Sequence, residues 1–242
     1  MNPDAPMRDS GVEWLGEVPE NWKVSALKHV ASTTNGYGFS SIDFLDEGVP
    51  FIRAGNIKAY SITSPKIFLT EKVVSRFGRL RLKPGEVLIS MVGSDPSVKE
   101  SAVGQIGVVP TALAGGVPNQ NVVIMRETAG QMTKRFLFHS LCSSAYRNHL
   151  DVFSHKLANQ SIISSGLIVA AKLCVPPISE QDNIAQYLDA RLPTFDAMSE
   201  RADATISLLQ ERRTALISAA VTGKIDVRGW KAPETETQSE VA

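Results

Sequence analysis

The chain of 242 residues is 43% hydrophobic and 21% charged, a composition that supports one substantial core and an appendage. Its best apolar run, residues 166–175, is shorter than the roughly 20 residues of a membrane span and contains Lys172. With no secretory signal either, we expect no membrane association and a cytoplasmic location. Cys142 and Cys174 have neither metal-binding nor disulfide-framework spacing, so both are expected to be small core residues.

The formal net charge is zero, but the charged residues are unevenly distributed. Residues 1–20 hold one basic and five acidic side chains, residues 21–172 hold 17 and nine, and residues 173–242 hold seven and 11. The three segments therefore carry −4, +8 and −4. A basic middle segment suits a phosphate backbone, although plain solvation would also explain it. Alternation in residues 79–83 predicts a strand edge whose cationic face either contacts phosphate or is simply solvated.

In chain order, residues 1–20 predict an extended arm anchored by Trp14. From Trp22 onward, apolar β-rich runs alternate with Gly, Pro, Asn and Ser, which is typical of strands joined by turns. These runs lie at residues 51–53, 61–63, 86–91, 105–109 and 121–125. Residues 130–152 predict a helix with one apolar face, and residues 168–171 return to the core. The fold class is therefore α/β, in the mixed α+β sense.

A double proline, Pro176 and Pro177, stops the preceding element. Ser179 is expected to cap a new helix, with Asp182 completing a weak capping box. Beyond Pro193, which suits a first helical turn, apolar or small residues recur at the alternating spacing of four and three that a coiled-coil seam requires. The positions of this seam are Phe195, Ser199, Ala202, Ile206, Leu209, Arg213, Leu216 and Ala220.

Gly223 is expected to end this helix. Two interpretations of the apolar stripe stay open. Phe195, Ile206, Leu209 and Leu216 either pack on the chain's own domain, as in any amphipathic surface helix, or face a partner helix.

Catalytic signatures are missing from the sequence. Val175 precedes the double proline where an amino-methyltransferase needs Asn or Asp, and residues 36–41 contain only two of the three glycines of a dinucleotide loop. The four histidines have no metal-ligand spacing. We therefore expect no catalytic residue and no metal ligand, and the chain is predicted not to be an enzyme.

Several segments match one known family in their amino-acid sequence and in their order along the chain. They are DSGVEWLGEVP at residues 9–19, PFIRAGNI at 50–57, LKPGEVLIS at 82–90, NQN at 119–121, PPISEQDNIAQYLD at 176–189, LLQERRTALIS at 208–218 and AVTGKI at 220–225. In these segments the chain closely resembles the specificity (S) subunits of type I restriction-modification systems. That family usually carries two target-recognition domains and two conserved helical regions, whereas this chain has one of each and no internal repeat. It resembles a half-length S subunit.

The resemblance implies four regions. They are an N-terminal arm (1–20), a target-recognition domain (21–176), a conserved helical spacer and dimerisation region of coiled-coil type (177–224), and a partly disordered tail (225–242). It also implies a sequence-specific DNA-recognition subunit that directs methyltransferase and restriction subunits to a bipartite DNA site. Two alternatives stay open: an orphan or decoy half-subunit that modulates an intact system, and a stand-alone DNA-modifying enzyme, which the missing motifs disfavour.

The partners implied by the resemblance are double-stranded DNA, a methyltransferase (M) subunit, and a restriction (R) subunit reached through the M complex. A second copy of the chain or a different half S subunit would complete the assembly. S-adenosylmethionine, ATP and Mg²⁺ are expected only on the partner subunits, so no cofactor is expected on this chain.

Arginine pairs with guanine and Asn or Gln with adenine in the major groove, and loops on a rigid core present such side chains best. The candidate DNA-contacting residues are Tyr37, Arg53, Asn56, Lys99, Asn119, Gln120, Asn121, Lys156, Asn159 and Gln160, with Phe39 and Ser94 as further candidates. For Asn56 and Asn119 we favour a structural role in turns, because the family keeps these positions while its members recognise different sequences.

Residues 194–221 would span about 42 Å as a helix, slightly more than the roughly 34 Å of one DNA turn. Its four large apolar seam residues predict a partner helix. Two copies packed antiparallel would recognise a split palindrome with a gap of about one turn. Pairing with a different half-subunit would instead give two unrelated half-sites.

Overall fold

Short strands and helices alternate through most of the chain, and one long helix follows them. The computed structural model describes residues 5–93, 103–153, 155–157 and 160–231. The chain divides into two units, residues 1–188 and 189–242. The mixed α/β first unit and the long C-terminal helix agree with the expected fold class. In the described part of the chain, no helix is long and apolar enough to cross a membrane.

The strands of the first unit lie close to the positions predicted from the apolar runs and the turn residues between them. The strands are β1 (Met7–Asp9), β2 (Glu17–Pro19), β3 (Lys23–Ala26), β4 (Ala31–Asn35), β5 (Phe44–Leu45), β6 (Val49–Ile52), β7 (Ile57–Lys58), β8 (Ser61–Ile62), β9 (Phe68–Leu69), β10 (Val87–Ser90), β11 (Val92–Gly93), β12 (Ile106–Val108), β13 (Val117–Pro118), β14 (Val122–Glu127), β15 (His155–Leu157), β16 (Gln160–Ile162) and β17 (Lys172–Val175). The helices are α1 (Glu71–Val74), α2 (Lys134–Leu141), α3 (Ser144–Phe153), α4 (Ser165–Ala170) and α5 (Ile178–Val221). Short 3-10 helices lie at Leu27–His29, Ser41–Asp43, Ala54–Asn56, Ser75–Leu80 and Thr111–Leu113. All five predicted strand segments are found, close to their expected bounds.

The central sheet has the order β12-β10-β14-β4, and its strands are antiparallel. Side chains of β10 and β14 are buried on both faces because successive residues of a strand point to opposite sides. Ile89 and Val123 enter one apolar core beneath α2, α3 and α4. Leu88 and Ile124 enter a second core against β6 and β9. This position between two cores explains why these strands are continuous apolar runs.

A second sheet has the order β13-β6-β9-β5, and within it β13 and β6 are parallel. Val117 pairs with Phe51, and Pro118 pairs with Ile52. The carboxyl ends of these two strands therefore lie side by side. The loops that follow them, at Arg53 and Asn119, start from the same edge of the sheet.

Residues 130–152 form two helices, α2 and α3, rather than the single helix that was predicted. The break lies at Cys142 and Ser143. The Ser143 hydroxyl accepts a hydrogen bond from the Tyr146 amide at 3.3 Å, so it competes with helical bonding and caps α3. Cys142 and Cys174 are partly rather than fully buried. Burial raises the pKa of the Cys142 thiol to about 12.

The prediction of a cationic strand at residues 79–83 is wrong, because the chain forms a 3-10 helix up to Leu80 and then a loop. Arg81 pairs with Glu71 and donates to the Gly115 carbonyl at 2.9 Å. In residues 79–83 the alternation of cationic and apolar residues therefore results from the contacts these side chains make in the folded chain. It does not indicate a strand with one cationic face.

Arg126 and Glu86 form a structural ion pair in the first unit. Arg126 Nε lies 2.6 Å from Glu86 Oε1, and the Glu86 side chain is only 3% exposed. Arg126 also donates to the Thr34 hydroxyl and to the backbone carbonyls of Arg79 and Arg81. The pair thus ties the central sheet to the loop that follows the 3-10 helix.

The arm folds as an antiparallel hairpin of β1 and β2 rather than as an extended segment. Trp14 lies in the connection between these strands and stacks against His149 of α3, with ring centroids 6.2 Å apart. The arm is therefore packed on the first unit through the expected aromatic residue.

Helix α5 begins at Ile178, so Ser179 lies inside the helix and not at its cap as predicted. The residues that fix this start are Glu180 and Gln181. Glu180 accepts hydrogen bonds from the Trp22 indole and the Asn21 amide, both at 2.9 Å. Gln181 is fully buried, accepts from the Thr133 amide, and donates to two backbone carbonyls.

Pro193, expected at a first helical turn, lies within the continuous helix α5. The helix formers Ala190, Arg191 and Leu192 precede it and continue the helix despite the lost amide donor. Gly223 ends the helix as predicted. Its φ is +73°, its amide donates to the Ala220 carbonyl, and the Lys224 amide donates to the Ala219 carbonyl. These are the two bonds of a Schellman motif.

Candidate nucleic-acid interface

Three loops meet at one edge of the first unit. They follow the carboxyl ends of β4, β6 and β13 and begin at Gly36, Arg53 and Asn119. Backbone hydrogen bonds join them: the Asn119 amide donates to the Ile52 carbonyl at 2.8 Å, and the Tyr37 amide donates to the Pro118 carbonyl at 3.1 Å. Six of the ten predicted residues, Tyr37, Arg53, Asn56, Asn119, Gln120 and Asn121, are therefore gathered at this reading edge.

One glycine permits the close approach of these loops. A Cβ atom at Gly36 would lie 2.0 Å from the Asn119 carbonyl oxygen, which no side chain tolerates. A Cβ atom at Gly38 would lie 3.4 Å from Oε1 of the exposed Gln120, which is an ordinary contact. Within the turn predicted at residues 36–41, Gly36 is thus the glycine with a steric reason.

A first cleft of about 600 Å³ opens between the second and third loops. Arg53, Asn56, Lys66, Asn119 and Asn121 contribute its polar lining. Arg53 and Lys66 are exposed, whereas Asn119 is buried. The cleft thus combines two exposed cations with the buried amide side chain of Asn119.

A second cleft of about 640 Å³ lies beside Tyr37 and contains Lys72, Arg76 and Phe77 in its wall. The Tyr37 ring packs against Phe77, with centroids 4.4 Å apart, and both rings contact Phe39 at 5.1 Å. These contacts hold Tyr37 in place while 48% of its surface stays exposed. A rigid amphipathic ring beside two cations is suited to contact with a nucleic acid.

Four exposed cations line the two clefts: Arg53, Lys66, Lys72 and Arg76. Within the described residues, none of them forms an ion pair with a carboxylate. The structural arginines of the same unit differ, since Arg81, Arg126 and Arg147 all pair with acidic residues. Four cations without an ion pair in the described structure therefore lie at the reading edge, where they would attract phosphate.

The favoured structural role of Asn56 and Asn119 agrees with their hydrogen bonds. Asn56 Oδ1 accepts from the Arg53 amide at 2.9 Å, and Asn119 Oδ1 accepts from the Asn121 amide at 3.3 Å. Both amide side chains stabilise the loops that present their neighbours. Arg53 and Gln120 are the exposed members of these loops.

The hairpin of β15 and β16 extends the same edge. Its strand β16 pairs with β11, while the Met91 amide donates to the Asn121 carbonyl at 2.7 Å. Lys156 and Gln160 lie on this hairpin. Three other candidates, Ser94, Lys99 and Asn159, lie outside the described residues.

Sequence reasoning did not single out Lys66 and Lys72, which line the two clefts. Neither lies in a loop rich in Asn or Gln, and each reaches a cleft only through the folding of β9 and α1 against the second core. Arg76 was noticed, but as part of the cationic stripe that does not exist. An excess of lysine and arginine over residues 21–172 was the available signal.

The second unit presents a different surface. Phe195, Ile206, Leu209 and Leu216 are 63%, 52%, 58% and 59% exposed. Of residues 189–221, all but Ala219 are exposed. Among the described residues of this unit, nothing covers the apolar stripe of α5.

Comparison with known proteins found no matching family model. The MjaVIII type I restriction enzyme specificity subunit of Methanocaldococcus jannaschii is 24% identical over 218 residues, covering 88% of this chain and 48% of that protein. The EcoKI specificity subunit of Escherichia coli is 26% identical over 223 residues, covering 89% of this chain and 46% of that protein. The chain is thus similar to type I restriction specificity subunits over most of its length.

Solved structures agree with this relationship at the level of the fold. The HsdS subunit of Thermoanaerobacter tengcongensis has a TM-score of 0.59 at 19% identity and matches 90% of this chain. A structure that describes complex assembly and conformational transition of the type I R-M system has a TM-score of 0.65 at 20% identity and matches 88%. The chain spans about half the length of these proteins, 48% of each.

All the curated relatives described above are named specificity subunits, in agreement with the prediction that the chain is not an enzyme. In the described part of this relative of the specificity subunits, no group of three or more His, Cys, Asp or Glu side chains could hold a metal ion. The chemistry that the reading edge offers is hydrogen bonding, stacking and charge.

Proposed function

We propose that the chain is a half-length DNA-specificity subunit of a type I restriction-modification complex. The observation that carries this proposal is the reading edge itself, with two clefts, four unpaired cations and exposed Arg53, Gln120 and Tyr37. A site made of such groups recognises duplex DNA through phosphates and base edges. The similarity to specificity subunits over most of the chain supports the same conclusion.

Within this proposal the edge residues have distinct roles. Arg53 donates two hydrogen bonds to guanine, and Gln120 or Asn121 pairs with adenine. Lys66, Lys72 and Arg76 contact phosphates and set the orientation of the protein on the duplex. Tyr37 contacts bases or sugars with its exposed ring. Lys99, Lys156, Asn159 and Gln160 add further contacts with the DNA.

We also propose the assembly in which this recognition is used. A methyltransferase subunit, and a restriction subunit recruited with it, supply S-adenosylmethionine, ATP and Mg²⁺ chemistry, while this chain binds no cofactor. Two half-subunits pair through Phe195, Ile206, Leu209 and Leu216 and so recognise a bipartite site. Pairing of two identical copies gives a split palindrome, whereas a different half-subunit gives two unrelated half-sites. The complex acts in the cytoplasm.

The proposal is tested by reconstituting the chain with a type I methyltransferase subunit and mapping the methylated DNA sequence. Arg53→Ala is expected to lower methylation of the preferred site by 10- to 100-fold and to relax one base position, as loss of a bidentate contact does. Lys172→Ala, which removes an exposed cation on β17 away from the edge, is the matched control. The proposal would be rejected if methylation were the same with and without the chain and were also unaffected by Arg53→Ala.

The half length of the chain relative to its relatives keeps one alternative open, a decoy that modulates an intact system. The two functions predict opposite effects on DNA methylation. A specificity subunit creates a new methylated sequence when it is added to methyltransferase subunits alone. A decoy creates none, and instead lowers methylation by a complete system as its concentration rises.

A further inference from the structure

The segment after helix α5 contains three exposed apolar residues. Ile225, Val227 and Trp230 are 38%, 56% and 71% exposed. The Schellman bonds at Gly223 end the helix, and the Trp230 amide donates to the Val227 carbonyl at 3.1 Å, so the segment is folded rather than extended. A structured turn with three uncovered apolar side chains is typical of a docking surface.

The seam of α5 identifies the direction in which a second copy would pack. In an antiparallel pair centred between residues 207 and 208, each outer layer combines a large with a small residue. These layers are Phe195 with Ala220, Ser199 with Leu216 and Ala202 with Arg213, while Ile206 meets Leu209 beside the two-fold axis. Such alternation fills the space between helices.

A parallel in-register pair would be poorer. It would place Arg213 against Arg213, stack two layers of small residues at Ser199 and Ala202, and crowd Phe195 against itself. The like charges and the unfilled layers both destabilise that arrangement. The seam is therefore self-complementary in the antiparallel direction, which points to a second copy of this chain as the partner.

Residue 223 of one copy lies level with residue 192 of the other in this register. We propose that residues 225–230 of each copy dock on the other copy around Leu192, at the beginning of the second-unit helix; this inference rests on the self-pairing in the proposed function. Leu192 is 40% exposed and offers an apolar contact.

The contact connects two copies and cannot form within one chain. Residues 192 and 221 are separated by about 44 Å of helix, whereas the six residues from 222 to 227 reach about 20 Å when extended. A covalent bond between positions 192 and 227 therefore reports contact between copies alone.

Paired cysteine variants test the inference in the full chain. Leu192→Cys with Val227→Cys is expected to give a disulfide-linked dimer under mild oxidation, whereas each single variant stays unlinked. Ile206→Cys with Leu209→Cys tests the register at the two-fold axis independently. If only the second pair forms a covalent dimer, the docking segment is refuted and the self-pairing stands. If neither pair links and the chain sediments as a monomer, the self-pairing fails as well.

A second measurement uses the dissociation constant of the dimer. Trp230→Ala is expected to raise it at least tenfold, because a buried aromatic anchor dominates such interfaces. Ile42→Ala, which removes an 88% exposed apolar residue from the first unit, is the matched control and is expected to change nothing. Equal dissociation constants for Trp230→Ala and the unchanged chain would overturn the inference.

Discussion

The two units of this chain treat their apolar and charged side chains in opposite ways. In the first unit, leucines, isoleucines and valines fill two cores, and four cations without an ion pair in the described structure line the clefts of one edge. In the second unit, Phe195, Ile206, Leu209 and Leu216 of α5 are more than half exposed. The first unit thus has an apolar interior, whereas the second unit presents the surface that we propose is covered by a partner. The proposed recognition of DNA and the proposed assembly therefore fall on separate parts of the chain.

The strongest test of this division changes the second unit alone. Leu209→Glu with Leu216→Glu is expected to abolish self-association, because a dimer would bury four unpaired carboxylates. Melting of the first unit should be unchanged. Ser207→Glu with Thr214→Glu adds the same charges on the opposite helical face and is the matched control. Sedimentation velocity gives the result, and a dimer that survives the leucine substitutions would contradict the division.

A second test changes the interior of the first unit. Arg126→Leu leaves Glu86 buried without its partner, so the free energy of unfolding is expected to fall by about 3 kcal/mol. Urea denaturation measures it. Arg79→Leu, an exposed arginine whose side chain has no ion pair in the described structure, serves as the control. Equal stability of both variants would show that the pair is not structural.

A smaller effect is expected from the phosphate contacts. Lys72→Gln with Arg76→Gln should weaken DNA binding uniformly across sequences and reduce the slope of log affinity against log salt by roughly 1.8, since each phosphate contact contributes about 0.9. The titration is made with duplex DNA at several salt concentrations. An unchanged slope would place these two cations outside the interface.

The smallest effect is expected at Asn56, and it distinguishes a residue that stabilises its loop from a residue that contacts bases. Asn56→Ala removes the acceptor of the Arg53 amide and is expected to lower stability by about 1 kcal/mol while the recognised sequence is unchanged. Thermal melting and methylation mapping together measure it. A changed recognition sequence would show that Asn56 contacts bases.

The sequence was sufficient for the strands, because apolar runs and turn residues alternate clearly around β6, β10 and β14. It was insufficient where a local side-chain hydrogen bond replaces helical bonding. At Ser143 the hydroxyl accepts such a bond and divides the predicted helix into α2 and α3. The start of α5 was also missed, since Gln181 is fixed by residues about 50 positions earlier in the chain. Local pattern carries no information about such distant partners.

The candidate site shows the same limit. The loops with Arg53 and with Asn119 to Asn121 were identified from their residue types, and the structural role of Asn56 from turn chemistry. Lys66 and Lys72 were missed because β9 and α1 carry them to the clefts only in the folded chain. The assembly of the edge depends on the parallel pairing of β6 with β13, which no local pattern predicts.

The backbone hydrogen bonds that join the loops of the reading edge have an evolutionary consequence. The Asn119 amide with the Ile52 carbonyl, and the Tyr37 amide with the Pro118 carbonyl, hold the loops without using the exposed side chains. Substitutions at positions 53 and 120 therefore alter the surface without withdrawing support from the scaffold, whereas a change at Tyr37 also removes its ring contacts with Phe39 and Phe77. A library randomised at positions 53 and 120 should yield mostly folded proteins, so new specificities are accessible in few mutational steps.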